Sequence, residues 1–389
     1  MSDTPSSERL PPLYQLHADA GASFTDFAGW QMPVSYGSDL AEHHAVRQAA
    51  GLFDISHMAE IMVSGPDAPA FLDYALAGKL SAIAIGQAKY SLLLEESGGI
   101  VDDLVVYRLQ PEEFLVVANA GNRFAAATAL SDRASGFDVT VTDQSDDCAL
   151  IAVQGPKARA IVEATAGITE LGTPLAELGN YRSTDASFDG VPLLVARTGY
   201  TGEDGFELYL QTDTSTGLST SAAERLWRAL LAAGEPLGLL PAGLASRDTL
   251  RLEAGMPLYG HELSRDILPA QAGLGRVVAL GKEGDFVGRA AIEAGPPEGA
   301  RVLVGLVSEG RRAGRAGYQV LEPGLASADP RVVGEITSGA LSPTLGHPIA
   351  MAFVDPQFAE PGTVLDIDVR GTRIPATVTA LPFYKREKN

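Results

Sequence analysis

A chain of 389 residues exceeds what one hydrophobic core organises, so two or three domains are expected. With 46% hydrophobic and 20% charged residues it has an ordinary globular composition, and its formal net charge of −20 argues against nucleic acid or an anionic membrane as the main partner. Any polyanionic ligand must then be met by a local cationic pocket. The single cysteine, Cys148, excludes an intramolecular disulfide and a cysteine-based zinc or iron–sulfur site within one chain, and suits a reducing cytosol.

Residues 1–12 are Ser- and Pro-rich with charges of both signs, and read as a disordered tail rather than a signal peptide or presequence. No apolar stretch is long enough to span a bilayer, so a cytoplasmic protein is expected. A short helix follows over Leu13–His17, then an apolar cluster from Asp26 to Val34 punctuated by Gly and Pro. A second helix is expected from about Asp39 to near Gly51. Its neighbouring His43 and His44 do not suit a shared metal, because helical ligands sit three or four apart, so both are expected at the surface or as caps. The stretch from Gly51 to Val63 starts a strand after a polar turn. Within it His57 has no accompanying serine or cysteine nucleophile motif and reads as a structural histidine in a buried turn.

Ala68–Leu76 predicts a helix, and Lys89–Leu94, with Tyr90, pairs as a hairpin with Ile100–Tyr107 across the Gly98-Gly99 turn. Asp102 and Asp103 stand side by side in that second strand. Alternation sends them to opposite faces, so a core-lining strand would direct one carboxylate into a cleft or the interior, where it needs a partner. Pattern alone favours the plainer reading, in which both are solvated in the turn that opens the strand. Phe114–Asn122 is a further strand ending in Asn119 and Asn122, residues that form turns or serve as neutral donor–acceptors for a heterocycle.

Cys148–Val153 predicts a strand running into Gln154-Gly155-Pro156 and a helix with Ala158, Ile161, Val162 and Thr165 on one face. Val191–Arg197 is a strand leading into Thr198-Gly199-Tyr200-Thr201-Gly202-Glu203-Asp204-Gly205, whose glycine spacing does not match the dinucleotide fingerprint. The chain then returns as a strand holding Glu207 between Phe206 and Leu208. That acid lies on a wet face by alternation or, if buried, needs a donor. A helix over Ala222–Ala233 carries Ser221 and Glu224 at capping-box spacing. Another is expected over Leu240–Gly255, with Arg247 and Arg251 four apart, either ion-paired or forming a cationic pocket. Gly295–Gly299 reads as a linker. Beyond it six short strands, Val302–Val307, Tyr318–Leu321, Val332–Thr337, Ile349–Val354, Val364–Val369 and Ile374–Leu381, suggest a small antiparallel barrel, with Pro323–Pro330 as a surface loop.

Six motifs taken together resemble aminomethyltransferase, the T-protein of the glycine cleavage system. They are Asp26-Phe27-Ala28-Gly29-Trp30, Phe53-Asp54-Ile55-Ser56-His57-Met58, Gly98-Gly99-Ile100-Val101-Asp102-Asp103-Leu104, the segment Arg197–Glu207, the segment Ala245–Glu253, and Gly334-Glu335-Ile336-Thr337-Ser338-Gly339. Their order and spacing fit from about Leu13 to Tyr384. The resemblance implies an α+β fold in a three-domain, cloverleaf-like arrangement with mixed or antiparallel sheets and a small C-terminal β-barrel. Its expected parts are 13–60 with 145–235, 61–144 with 236–294, and 300–389. The implied reaction transfers a methylene group from aminomethyl-lipoyl H-protein to tetrahydrofolate, giving ammonia and 5,10-methylenetetrahydrofolate. The implied partners are lipoylated H-protein and tetrahydrofolate, with no metal, nucleic acid or membrane.

Carried over residue by residue, the family's catalytic aspartate matches Asp103 and its pterin-anchoring glutamate matches Glu207. Folate contacts match Tyr90, Asn119, Tyr200 and Arg247, with Tyr384 and Arg386 in the more variable tail. The chemistry agrees. A pterin's 2-amino and N3–H edge is a two-donor fork that a carboxylate accepts, and the anionic glutamyl tail of folate gives an arginine a role in an acidic chain. A carboxylate near N5 and N10 can accept a proton or stabilise iminium character. The alternatives are a folate-dependent demethylase that needs no H-protein, a repair-type relative whose Lys-Gly-Cys motif is not matched around Cys148, and a scaffold, which would have no reason to combine Asp103 with Glu207.

Overall fold

The computed structural model describes residues 9–211, 218–323 and 331–386. The chain groups into two compact units: Met1–Phe71 with Leu80–Lys89 and Leu104–Arg247, and Leu72–Lys79 with Tyr90–Asp103 and Asp248–Asn389. The helices Ala68–Ala75 and Leu244–Glu253 and the strands Gln87–Leu94 and Ile100–Gln110 each contribute residues to both. No helix among the described residues is long and apolar enough to cross a membrane.

In the first unit a seven-stranded sheet runs Ile168–Thr169, Ser183–Phe188, Val191–Ala196, Gly205–Gln211, Cys148–Gln154, Ala50–Asp54 and Leu239–Pro241. The Cys148–Gln154 strand is buried at every position, as its unbroken apolar run requires of a strand covered on both faces. The helix Leu218–Gly234 lays Ala223, Leu226, Trp227 and Leu230 on the core of Leu52, Ile151, Val153, Phe206 and Leu208. That three-and-four spacing is one helical stripe, and each large side chain it buries contributes about 1.5–3 kcal/mol relative to exposure. Ala158, Ile161 and Val162 pack into the same core, and the Thr165 hydroxyl closes their helix by donating to Ile161 O at 2.7 Å.

Several expectations are corrected in this unit. The second helix spans Asp39–Gln48, capped by Ser38 accepting from the Ala41 amide, and Ala50 already opens a strand. His43 on that helix is fully buried rather than at the surface, its ring edge-on to His44. Leu239–Pro241 is an edge strand parallel to Ala50–Asp54, so the following helix begins at Leu244 and not at Leu240. The helix expected from Ala222 begins at Leu218, which puts Ser221 inside it rather than at its cap. Arg9 exchanges backbone hydrogen bonds with Gly29 and Gln31, so the chain from Arg9 onward is tied down, not a free tail; residues 1–8 lie outside the described residues.

In the second unit the six C-terminal strands close into a barrel in the order Val302–Ser308, Pro348–Val354, Val332–Leu341, Gln319–Leu321, Val364–Val369 and Thr372–Thr379. Closure leaves no unpaired edge, and Leu306, Val320, Ile336, Ala352, Leu365 and Val378 fill the interior. The loop expected over Pro323–Pro330 lies, from residue 324, outside the described residues. The Gly98-Gly99 turn joins Gln87–Leu94 to Ile100–Gln110 as expected, with the Glu95 amide donating to Gly99 O at 2.9 Å. A Cβ on Gly99 would lie 1.8 Å from the Arg265 carbonyl oxygen, so only glycine lets the two backbones approach.

Candidate functional site

Glu207, Arg247, Tyr200 and Asn119 belong to the first unit; Asp103, Tyr90, Tyr384 and Arg386 belong to the second. In the first, Glu207 sits mid-strand opposite Ala196 on one side and Ala152 on the other. Small residues beside it leave its carboxylate half-buried rather than packed away. The glycine-rich loop before it is clamped. Arg197 grips Asp204 with two parallel bonds of 2.9 and 2.8 Å, and Arg47 donates to Thr201 O at 2.8 Å and to Glu203 at 2.9 Å. Gln154 spans the loop, donating to Thr198 O at 3.0 Å and accepting from the Thr201 hydroxyl at 2.9 Å. A Cβ on Gly199 or Gly205 would fall 2.0 or 2.4 Å from the Gln154 side chain, so these glycines serve close packing and not phosphate binding.

The Thr198 hydroxyl, at the start of that loop, donates to Glu207 Oε2, and Tyr107 Oη lies 3.4 Å from the same oxygen. Arg247 places its guanidinium 4.8 Å from the centre of the Tyr200 ring. Burial lowers the Arg247 pKa and the charge of Glu207 opposes that drop, so the two charges feel each other. His57 is almost wholly buried against Phe27, and among the described residues its Nδ1 has no hydrogen-bond partner. Burial first, and then the charge of Arg247, push its pKa down to about 4 against the opposing pull of Asp54. Asn119 is half-buried where the Glu113–Ala118 strand ends, its carbonyl accepting from the Asn122 amide at 2.9 Å.

In the second unit, Asp103 is half-buried and its Oδ2 accepts from the Tyr90 hydroxyl at 2.9 Å. Its neighbour Asp102 is fully buried within the strand, so the solvated-turn reading of the pair is wrong for Asp102. Arg251 is taken up internally: buried, it donates to Glu262 at 3.0 Å and to the Ser338 hydroxyl at 2.8 Å. That leaves Arg247, of the two arginines, beside the candidate carboxylate. The Tyr384 amide donates to Glu253 O at 2.8 Å, which ties the tail to the end of the Leu244–Glu253 helix, and Arg386 is half-buried two residues on.

Residues 13–282 match the model of the GCVT N-terminal domain, and residues 301–385 match that of the glycine cleavage T-protein C-terminal barrel domain. The chain belongs to this family. Among its relatives, an aminomethyltransferase of Cutibacterium acnes is 59% identical, covering 97% of this chain and 99% of that one. One from Bacillus subtilis is 42% identical over 96% and 99%. Among solved structures, the glycine cleavage system aminomethyltransferase T from Bartonella henselae superposes with a TM-score of 0.86 at 38% identity, covering 97% and 99%.

Thr198, Tyr107 and Tyr209 were not singled out from the sequence, though a signal existed. Tyr107 is four residues from Asp103 on one strand and Tyr209 two from Glu207 on another, both even spacings that place side chains on a common face.

Proposed function

We propose that this chain is the aminomethyl-transferring enzyme of the glycine cleavage system, passing the methylene group of an aminomethyl-lipoyl carrier protein to tetrahydrofolate. The observation that carries the reading, beside family membership, is Glu207: a half-buried carboxylate with one oxygen engaged by Thr198 and an arginine within electrostatic reach. Such a group accepts the two-donor edge of a pterin, and Arg247 with Tyr200 offers a cation and an aromatic face for the rest of an anionic folate. Asn119, Tyr384 and Arg386 are assigned as further folate contacts, and tetrahydrofolate enters as co-substrate.

Asp103 is assigned to the chemistry. Carbon–sulfur and carbon–nitrogen bonds to the methylene break, and bonds to N5 and N10 of the folate form. The two N–H protons of tetrahydrofolate end one on departing ammonia and one on the dihydrolipoyl thiol. A carboxylate held by the Tyr90 hydroxyl can take the proton as N5 attacks and balance cationic iminium character. The test is ammonia release from aminomethylated lipoyl carrier protein with and without tetrahydrofolate. Stimulation by folate is expected, and its absence would sink the assignment.

A further inference from the structure

Glu207 terminates a chain of three hydroxyl groups. Thr198 Oγ1 donates to Glu207 Oε2, Tyr107 Oη lies 2.9 Å from Thr198 Oγ1, and Tyr209 Oη donates to Tyr107 Oη at 3.1 Å. Each hydroxyl carries one proton and can accept as well. Tyr107 Oη also lies 3.4 Å from Glu207 Oε2, but Thr198 makes the shorter contact to that oxygen and commits its proton there, so the single Tyr107 proton goes to Thr198 at 2.9 Å. The order is therefore one-way: Tyr209 to Tyr107 to Thr198 to Glu207. Burial pushes the pKa of both tyrosines well above the phenol range, with the Glu207 charge adding to the rise, so both keep their protons. Aligned donors of this kind polarise one another and strengthen the last bond. Among the described residues, Glu207 Oε1 accepts no hydrogen bond.

We infer that Thr198 is a positioning residue for folate, setting the rotation of the Glu207 carboxylate. The inference rests on the reading of Glu207 as the pterin acceptor. The terminal torsion of a glutamate is broad and roughly two-fold, so an unheld carboxylate samples many planes. A pterin edge needs two lone pairs in one plane, one on Oε1 and the remaining one on Oε2. By occupying a single Oε2 lone pair from a fixed direction, Thr198 selects that plane before the ligand arrives. Tyr107 and Tyr209 act through Thr198 and hold its proton in the productive direction.

The test is the split between KM and kcat. Thr198→Val should raise the KM for tetrahydrofolate about tenfold, the worth of one charge-assisted hydrogen bond, with kcat within about twofold. Thr198→Ser, which keeps the hydroxyl, should return KM to within about twofold of the wild type, and Tyr107→Phe should raise it about threefold. Against a Glu207→Gln background, Thr198→Val should add little, because the bond it removes serves only that carboxylate. Additive losses, or a folded Thr198→Ser protein that behaves like Thr198→Val, overturn the inference. Direct tetrahydrofolate binding separates the two levels. Unchanged binding in Glu207→Gln overturns the reading of Glu207 and this inference with it. Weakened binding in Glu207→Gln with Thr198→Val unaffected overturns the positioning role alone.

Discussion

His57 gives a stability prediction whose size follows from its surroundings. Its ordinary pKa of 6.5 falls to about 4 in the folded chain, because burial and the Arg247 charge disfavour the imidazolium more than Asp54 favours it. The neutral ring is the form the fold accommodates. Above the unfolded pKa both states carry a neutral ring and the fold keeps its full stability. As pH falls from there towards the folded pKa, the unfolded chain binds a proton the folded one refuses, and stability is lost. Between the two values the loss totals about 3 kcal/mol, and at about pH 5 it amounts to about 2 kcal/mol. His57→Gln removes the titration. The measurement is urea unfolding at about pH 8 and about pH 5, followed by the fluorescence of Trp30 and Trp227, both buried in the same unit. The wild type should lose about 2 kcal/mol more than the variant on acidification. Equal losses in the two proteins would refute the argument, since every other acid-sensitive group is common to both.

Three further outcomes are expected. Asp103→Asn keeps an acceptor for the Tyr90 hydroxyl but removes the charge, so methylene transfer should fall at least about a hundredfold, with tetrahydrofolate binding within a few-fold. If that variant turned over normally while a folded Asp102→Asn did not, the roles of the pair would be reversed. Arg251→Met leaves Glu262 buried without its ion-pair partner and should cost about 3–5 kcal/mol by denaturant unfolding, whereas Arg228→Met at an exposed pair should cost under about 1 kcal/mol. Gly99→Ala drives a Cβ into the Arg265 carbonyl and should lower the melting temperature by several degrees, while Gly295→Ala, with open space around its Cβ, should cost only the strain of its positive φ.

What could be read from the chain before its structure divides along physical lines. The barrel strands were legible because short β-branched runs between turn residues leave few other readings, and all six reappear within a few residues of where they were expected. The Asp102–Asp103 pair was not, because alternation separates two neighbours without saying which side the rest of the fold covers. Asp102 proved to be the buried one. The same limit applies to Arg247 and Arg251, which share a helix face by spacing but differ in what faces them, and to His43, whose burial depends on partners distant in sequence. Glu207 and the loop before it stood out, yet the purpose of the glycines did not. They make room for Gln154, which lies some fifty residues away, and no local pattern reports a packing partner at that separation. Local periodicity names the face, and only tertiary structure names what it meets.

The lone thiol gives the chain a reporter of its own. Cys148 begins a central strand of the seven-stranded sheet, is buried, and has its pKa pushed well above the thiol range by burial first and then by the nearby Glu60 carboxylate. A maleimide reacts with thiolate, so the native sulfur is silent and its slow labelling clocks how often that sheet opens. Any cysteine introduced at an exposed position would become the single fast-reacting site, ready to carry a fluorophore without deleting the native one.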